Sequence, residues 1–177
     1  MAIHSDGVYV LTGFDFSTHF DDKMISVEKW DDERPVSVIY YDGEKEEWYV
    51  KRFLPEASTK PVSFITEHES SRMAFATSLY HPRAIIKYNK RFKQTRDRDD
   101  DVIDVVKFIS VKGVKAIGNR LSPLPVTEVL LEAPNTEKEE ATALERQSEL
   151  ADQISEAPDS TSEADSAADV AKPDLKL

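Results

Sequence analysis

The sequence predicts an all-β domain of antiparallel sheets over about residues 5–133. Short runs rich in β-branched and aromatic residues alternate with turn-forming residues, at a spacing of roughly 8–12 residues that is typical of such proteins. The clearest run, residues 36–53, has two such segments around Asp42-Gly43. It predicts a hairpin in which Gly43 supplies the positive φ of a tight reversal. The strand–helix alternation of a Rossmann-like sheet is missing from the sequence.

The second arm of this hairpin mixes aromatic, aliphatic and basic residues. Successive side chains of a strand point to opposite sides. One face therefore carries Trp48, Val50 and Arg52, and the other carries Tyr49, Lys51 and Phe53. Because neither set is purely apolar, we expect a sheet with one solvated and partly cationic face, which suits a polyanion.

The remaining elements are predicted from the same signals. We expect strands at residues 8–12, 24–30, 62–66, 83–88 and 126–131, and an apolar-rich segment at 102–111. Residues 72–77 fit either a strand or a helical turn, because their alanines and methionine do not discriminate. Between the first two strands, Phe14, Phe16 and Phe20 predict an irregular connection held to a core by its aromatic rings.

The composition changes after Pro134. Residues 135–177 contain no aromatic residue and are rich in Glu, Ala, Ser and Asp, so they bury too little apolar surface to offset the entropy of ordering. We predict an acidic low-complexity tail at 134–177, with a transient helix at 137–154 and disorder beyond Ser155.

Charge is unevenly distributed along the chain. The formal net charge is −11, but residues 51–133 carry 15 basic and 10 acidic side chains, whereas 1–50 and 134–177 each carry 4 basic and 12 acidic ones. Phosphate binding depends on the local density of Lys and Arg, so the basic middle matters more than the acidic total. The acidic tail is interpreted either as an inert solubilising extension or as a tethered competitor of DNA for the basic middle.

Several classes of protein are disfavoured by composition. The chain has no cysteine, hence no disulfide or thiolate metal site, and its four scattered histidines form no close ligand pair. Neither a signal peptide nor eighteen consecutive apolar residues occur. We therefore expect a cytoplasmic protein without a membrane partner, a metal site or a cofactor of its own.

A basic strip is the main candidate site. Residues 87–98 hold six basic side chains, the densest positive run in the chain. The strip is predicted to comprise Lys51, Arg52, Arg83, Lys87, Lys90, Arg91 and Lys93. Judged by composition alone, an ordinary solvated face is the more common explanation of such charges. If the strip binds DNA, strand-borne cations contact phosphates, and binding is salt-sensitive and weakly sequence-specific.

Other motifs in the sequence give weaker evidence of a binding or catalytic site. Residues 112–120 lack the Gly-x-x-x-x-Gly-Lys-Ser/Thr order of a phosphate loop, and bends with exposed lysines explain them better. The acidic runs at 21–22, 31–32 and 99–101 are interpreted as turn residues rather than metal ligands. No serine, histidine and acid combination has a recognisable catalytic context.

Several segments in order resemble the C-terminal region of the A chain of bacterial type IIA DNA topoisomerases, in particular that of topoisomerase IV, which is related to the corresponding chain of DNA gyrase. They are Gly7-Val8-Tyr9, Phe14-Asp15-Phe16-Ser17-Thr18-His19-Phe20, Tyr40-Tyr41-Asp42-Gly43, Tyr49-Val50-Lys51-Arg52-Phe53, Ser63-Phe64-Ile65-Thr66-Glu67-His68 and Val111-Lys112-Gly113-Val114-Lys115-Ala116-Ile117-Gly118-Asn119-Arg120-Leu121. The resemblance covers about residues 5–131.

This resemblance implies a β-pinwheel-like domain of four-stranded blades, here two or three and not necessarily a complete pinwheel, whose basic outer surface holds and bends duplex DNA. It extends a DNA-facing role to Lys51, Arg52, Lys112, Lys115 and Arg120. In the family, the catalytic tyrosine and its neighbouring arginine lie upstream of this region in the A subunit. The metal-binding acidic cluster lies in the B subunit. ATP and magnesium therefore belong to other parts of the enzyme, and nothing in this chain matches a catalytic residue.

We accordingly expect a non-catalytic, DNA-binding and DNA-bending module of a chromosome-associated bacterial topoisomerase, an isomerase that changes DNA topology. Its partners would be double-stranded DNA and the remaining parts of the A-type and B-type subunits. The alternative is a β-rich protein-interaction module that does not bind DNA. An undetected hydrolase would require a carboxylate pair or histidine with a strongly shifted pKa in a cleft.

Overall fold

The computed structural model describes residues 1–13, 22–58 and 60–155, with side chains described as far as residue 151. The strands of this part of the chain are β1 Ala2–His4, β2 Val8–Val10, β3 Met24–Val27, β4 Val36–Asp42, β5 Glu47–Phe53, β6 Val62–Ser63, β7 Arg72–Thr77, β8 Arg83–Tyr88, β9 Asp101–Asp104, β10 Asn119–Arg120 and β11 Val126–Leu131. The helices are α1 Val105–Phe108 and α2 Thr136–Ser155. None of the described helices is both long and apolar enough to cross a membrane.

The strands form three antiparallel sheets, which confirms the predicted all-β class. Sheet 1 has the order β3-β1-β2-β6, sheet 2 the order β10-β5-β4-β7, and sheet 3 the order β11-β8-β9. All strand pairs within the sheets are antiparallel. Sheets 1 and 2 are each four-stranded, and sheet 3 has three strands.

Sheet 2 is buried on both faces, contrary to the predicted solvated face of the hairpin. On one side, Trp48 and Val50 pack with Ile86 of sheet 3 in one apolar cluster. On the other side, Phe53 packs with Tyr9 of sheet 1 in a second cluster. The mixed composition of β5 misled the prediction, because a central strand alternates between two cores rather than between core and solvent.

The β4–β5 hairpin itself is confirmed, but its turn differs from the prediction. The turn spans residues 43–46, and Glu46 rather than Gly43 has the positive φ, at 56°. Gly43 is needed for space: an added Cβ would lie 2.4 Å from Nδ1 of His68 and 2.7 Å from the backbone nitrogen of Ser71. The Asp42 carboxylate accepts hydrogen bonds from the backbone amides of the turn and fixes its conformation.

The other elements follow the sequence with local corrections. The ambiguous segment at 72–77 is strand β7, and the last strand has the predicted bounds. The segment at 102–111 splits into β9 and α1, because the Asp104 carboxylate accepts hydrogen bonds from two backbone amides and caps the helix. The short strand β10 lies within residues 112–121, for which no strand was predicted. The aromatic connection predicted around Phe14, Phe16 and Phe20 lies outside the described residues.

The chain divides into two compact units, residues 1–142 and 143–177. Within the first unit, the start of α2 is bound to the β7–β8 connection. The Glu139 carboxylate accepts hydrogen bonds from the backbone nitrogens of Tyr80 and His81, both at 2.7 Å. Nε2 of His81 lies 2.9 Å from Oγ1 of Thr142. The disorder predicted beyond Ser155 concerns residues that the structure does not describe.

Candidate nucleic-acid interface

The connection between β8 and β9, residues 89–100, is a series of linked turns that we call the β8–β9 loop. The backbone nitrogens of Phe92, Thr95 and Arg98 each donate to the carbonyl oxygen three residues earlier, at 3.4, 3.1 and 3.3 Å. The Asn89 nitrogen donates to the Pro125 carbonyl at 2.8 Å and holds the loop to the chain beside β11. The loop therefore has a defined backbone without being a helix or strand.

Thr95 organises the interior of this loop. It is fully buried, at 0% exposure, although its neighbours in the loop are exposed. Its hydroxyl lies 2.5 Å from the Asn89 carbonyl oxygen and 3.3 Å from that of Phe92. Since this hydroxyl donates to the loop's own backbone, it serves to fold the segment.

The base of the loop is fixed by Asp101. Its Oδ2 accepts hydrogen bonds from the Tyr88 hydroxyl and from Nη2 of Arg98, both at 2.6 Å. These two hydrogen bonds, of which that from Arg98 has the larger effect, hold the pKa of the Asp101 carboxyl below its usual range. Arg98 is thus engaged by a carboxylate and contributes little free positive charge.

The free charge of the loop lies in its first half. Residues 90–96 contain Lys90, Arg91, Lys93 and Arg96 and no acidic residue, whereas Asp97, Asp99 and Asp100 follow in the second half. Arg91, Lys93 and Arg96 are exposed, and in the part of the chain that the structure describes no carboxylate lies within 4.0 Å of them. Lys90 donates to the Arg98 carbonyl. Exposed and unpaired cations on an ordered backbone suit a polyanion.

Lys51 does not belong to any surface strip, which corrects the prediction. Its side chain is buried, at 2% exposure, and Nζ donates to the carbonyl oxygens of Val114 at 2.6 Å and Ala116 at 3.0 Å. Burial lowers the pKa of this ammonium to about 8. Because Lys51 points into the core between β5 and residues 114–116, it is inaccessible to a phosphate.

Among the other predicted residues outside the loop, most have a polar or charged partner, and Lys115 is the exception. Arg52 is half-buried, with Nε donating to Oγ of Ser37, and burial lowers its pKa while the Asp104 charge opposes that shift. Three cations form ion pairs across strands: Arg83 with Glu132 at 3.0 Å, Lys87 with Glu128 at 2.9 Å, and Arg120 with Glu47 at 2.6 Å. Lys112 donates to Asn119 at 3.0 Å, and Lys115 is exposed without an ion pair to any described carboxylate.

The predicted strip is therefore not one continuous surface. Arg83 and Lys87 lie on the outer face of sheet 3, because their neighbours Ala84, Ile86 and Tyr88 fill the core face. On that outer face, glutamates at and just beyond β11 pair with the two cations. The sequence contains both signs of charge, but their pairing depends on which strand lies beside β8.

Two further residues of the β8–β9 loop are candidate site residues outside the predicted strip. Arg96 falls within the dense basic run. Phe92 lies between two cations, which is a signal that the sequence does contain. What the sequence does not show is that its ring stays exposed, since aromatic residues are more often buried.

A cleft of about 490 Å³ lies between residues 61–67 and 114–117, over Tyr40 and Lys51. These two polar side chains are engaged in holding the fold, since the Tyr40 hydroxyl donates to the Ile117 carbonyl at 2.9 Å and Lys51 donates to its two carbonyls. Among the described residues, no group of three His, Asp or Glu side chains could hold a metal ion. The β8–β9 loop thus remains the main candidate site.

Comparison with known proteins assigns the chain to a family. The family model described as topoisomerase C-terminal domain, Bacteroidota, matches residues 1–133. No curated protein and no solved structure matches the chain. The matched residues include all three sheets and the whole β8–β9 loop. Since the match extends over well more than half of the chain, the chain belongs to the family of topoisomerase C-terminal domains of Bacteroidota.

Proposed function

We propose that this topoisomerase module binds and bends duplex DNA for a type IIA enzyme, and that the β8–β9 loop makes the principal phosphate contacts. The observation that carries the proposal is the exposed set Arg91, Lys93 and Arg96, with which no described carboxylate pairs, on an ordered loop of a topoisomerase C-terminal domain. Its partners are double-stranded DNA and the other parts of the A-type and B-type subunits, in the bacterial cytoplasm with the chromosome. ATP and magnesium act elsewhere in the enzyme.

The electrostatics support the loop over the sheet surfaces. A cation that already faces a carboxylate must exchange that partner for a phosphate, so its net gain is small. An unpaired cation displaces only water and releases a condensed counterion from the DNA. Arg83, Lys87 and Arg120 should therefore contribute less to DNA affinity than the loop does. Lys115 is exposed and Lys90 belongs to the loop, so both are secondary contacts. Lys112 and Arg52 should contribute less than these two.

The proposal is tested by fluorescence anisotropy with a labelled duplex of about 40 base pairs, titrated from about 0.05 to 0.3 M salt. Three contacts predict that log K falls with log salt with a slope of about −2.7 from this loop alone. The triple charge reversal Arg91→Glu, Lys93→Glu and Arg96→Glu should weaken binding at least tenfold at low salt, an order-of-magnitude expectation. It should also flatten the salt dependence.

The matched control reverses three exposed lysines in other parts of the fold, Lys29→Glu, Lys45→Glu and Lys60→Glu. Both triple variants change the net charge by the same amount, so a general charge effect lowers both affinities equally. A loop-specific loss supports the proposal. If the intact chain shows no salt-dependent binding, DNA is not its partner, and the protein-interaction module becomes the better explanation.

A further inference from the structure

Phe92 is an exposed aromatic ring within the cationic half of the β8–β9 loop. Its side chain is 50% exposed, and Arg91 and Lys93 are its direct neighbours in the chain. We propose that Phe92 is a wedge that enters the minor groove of a bound duplex and partly separates two stacked base pairs. The inference rests on the proposed function, because it requires that the loop binds DNA.

The backbone around Phe92 is already fixed. Its nitrogen donates to the Asn89 carbonyl, and its own carbonyl accepts hydrogen bonds from the Thr95 nitrogen at 3.1 Å and the Thr95 hydroxyl at 3.3 Å. The Arg91 nitrogen donates to Oδ1 of Asn89 at 3.1 Å. An apolar group presented on an ordered backbone loses little entropy when it inserts, which is a requirement for an effective wedge.

The ring takes no part in the cores of the fold. The ring pairs among the described residues involve Tyr9, Phe53 and Phe64 or lie within the β4–β5 hairpin, and Phe92 belongs to neither apolar cluster. The interior position of the loop is taken by Thr95 instead. A half-exposed phenylalanine outside both apolar clusters leaves apolar area in water that binding can cover.

The surrounding charges select the kind of partner. Cations precede and follow Phe92, and no carboxylate occurs between residues 90 and 96. Side chains on both sides of the ring can therefore contact phosphates of the two strands that border one groove, while the ring reaches the base steps. Apolar wedges between cationic contacts kink duplex DNA toward the major groove, which is the deformation that a DNA-bending module requires.

Energy transfer between dyes at the two ends of a duplex of about 30 base pairs tests the wedge, because a duplex far shorter than the persistence length bends only when forced. Each protein is added to saturation, so that differences in affinity do not enter. We expect wild type and Phe92→Trp to shorten the end-to-end distance. Phe92→Ala should leave it near the value of free DNA, while its affinity falls by about tenfold or less.

Phe108→Ala is the matched control, since Phe108 is an exposed phenylalanine on α1. It should bend DNA as wild type does. In Phe92→Trp, the emission contributed by the new indole should be quenched by the duplex, as expected for a ring stacked on bases. Thermal unfolding of each variant checks that the fold is retained.

Three results would overturn the inference in distinguishable ways. Bending by Phe92→Ala equal to that of wild type, with salt-dependent binding intact, refutes the wedge and leaves the proposed function standing. A wild-type chain that does not bind duplex DNA at low salt refutes both. Unquenched emission from Phe92→Trp in a saturated complex likewise argues that the ring contacts something other than base pairs.

Discussion

At the scale of single residues, Lys51 shows how position overrides residue type. A lysine in a strand that ends in Lys51-Arg52-Phe53 was expected at the surface, and the structure buries it beneath residues 114–116. The aliphatic stem fills space between β5 and this segment, while Nζ satisfies two carbonyl oxygens 63 and 65 residues away in sequence. No local pattern encodes this arrangement, because the covering segment is distant in the chain.

The burial of Lys51 predicts a pH dependence of stability. Its pKa is about 8 in the folded protein, against about 10.4 in an unfolded chain. Between these values the unfolded state binds more protons, so this group makes the free energy of unfolding rise with pH. Below about pH 8 both states hold the proton, and the full cost of a buried ammonium applies. A neutral amine still donates both hydrogen bonds.

Urea unfolding of wild type and Lys51→Met at pH 7.5 and 9.5 measures this effect. The free energy of unfolding of wild type, minus that of the variant, should rise by about 2 kcal/mol over this interval. The difference cancels groups common to both proteins, including Tyr40, whose pKa burial raises to about 12. A difference that stays constant or falls would mean that Nζ is solvated rather than buried.

At the scale of elements, local sequence signals predict individual strands, but they do not predict which distant strands pair. The β4–β5 hairpin and the bounds of β11 follow from patterns within a few residues of each other. The pairing of β11 with β8 joins residues about forty apart, and it alone decides that Glu128 and Glu132 neutralise Lys87 and Arg83. The candidate site is therefore one loop rather than the predicted strip, because the pairing of β11 with β8 cannot be read from the sequence.

The β8–β9 loop depends on Thr95, which yields a prediction at this scale. Thr95→Val keeps the shape but removes the hydroxyl that donates to the carbonyls of Asn89 and Phe92. Amide hydrogen exchange at residues 90–98 should accelerate, while the sheet amides keep their protection, because only the loop loses a constraint. DNA affinity should fall a few-fold as the cations lose their fixed positions.

Thr95→Ser is the control for this experiment, since it retains the hydroxyl and should exchange nearly as wild type does. If Thr95→Val leaves exchange in the loop unchanged, the backbone turns alone define its structure. A general acceleration across β4, β5 and β8 would instead mean that the loop supports the core, which would contradict a purely local role.

At the scale of the whole molecule, three sheets provide a frame in which sheet 2 is the centre and the candidate binding loop belongs to sheet 3. This part of the chain is a topoisomerase accessory module by family. The all-β class and the family were predictable, because strand spacing and the matching segments are visible in the sequence. The arrangement of the sheets was not, since it depends on long-range packing within two separate apolar clusters, one on each side of sheet 2.

The acidic C-terminal region leads to a prediction for the whole chain. Residues 143–177 carry 9 acidic and 3 basic side chains, and they are tethered to a unit whose candidate binding loop is cationic. A tethered polyanion competes with DNA at a high effective concentration. Truncation after Thr142 retains the contacts of Glu139 and Thr142 with the β7–β8 connection, so it removes charge without removing that attachment.

Removal of this acidic region should strengthen DNA binding where electrostatics are strongest. Duplex affinity of the truncated chain, measured by anisotropy, should rise a few-fold at about 0.05 M salt. The gain should vanish near about 0.5 M, where charges are screened within a few ångströms. A full-length variant with the carboxylates of 143–177 replaced by amides should bind like the truncation, because charge rather than bulk is responsible. Equal affinity of the intact and truncated chains at low salt would leave the region a solubilising extension, because a competitor must weaken binding under that condition.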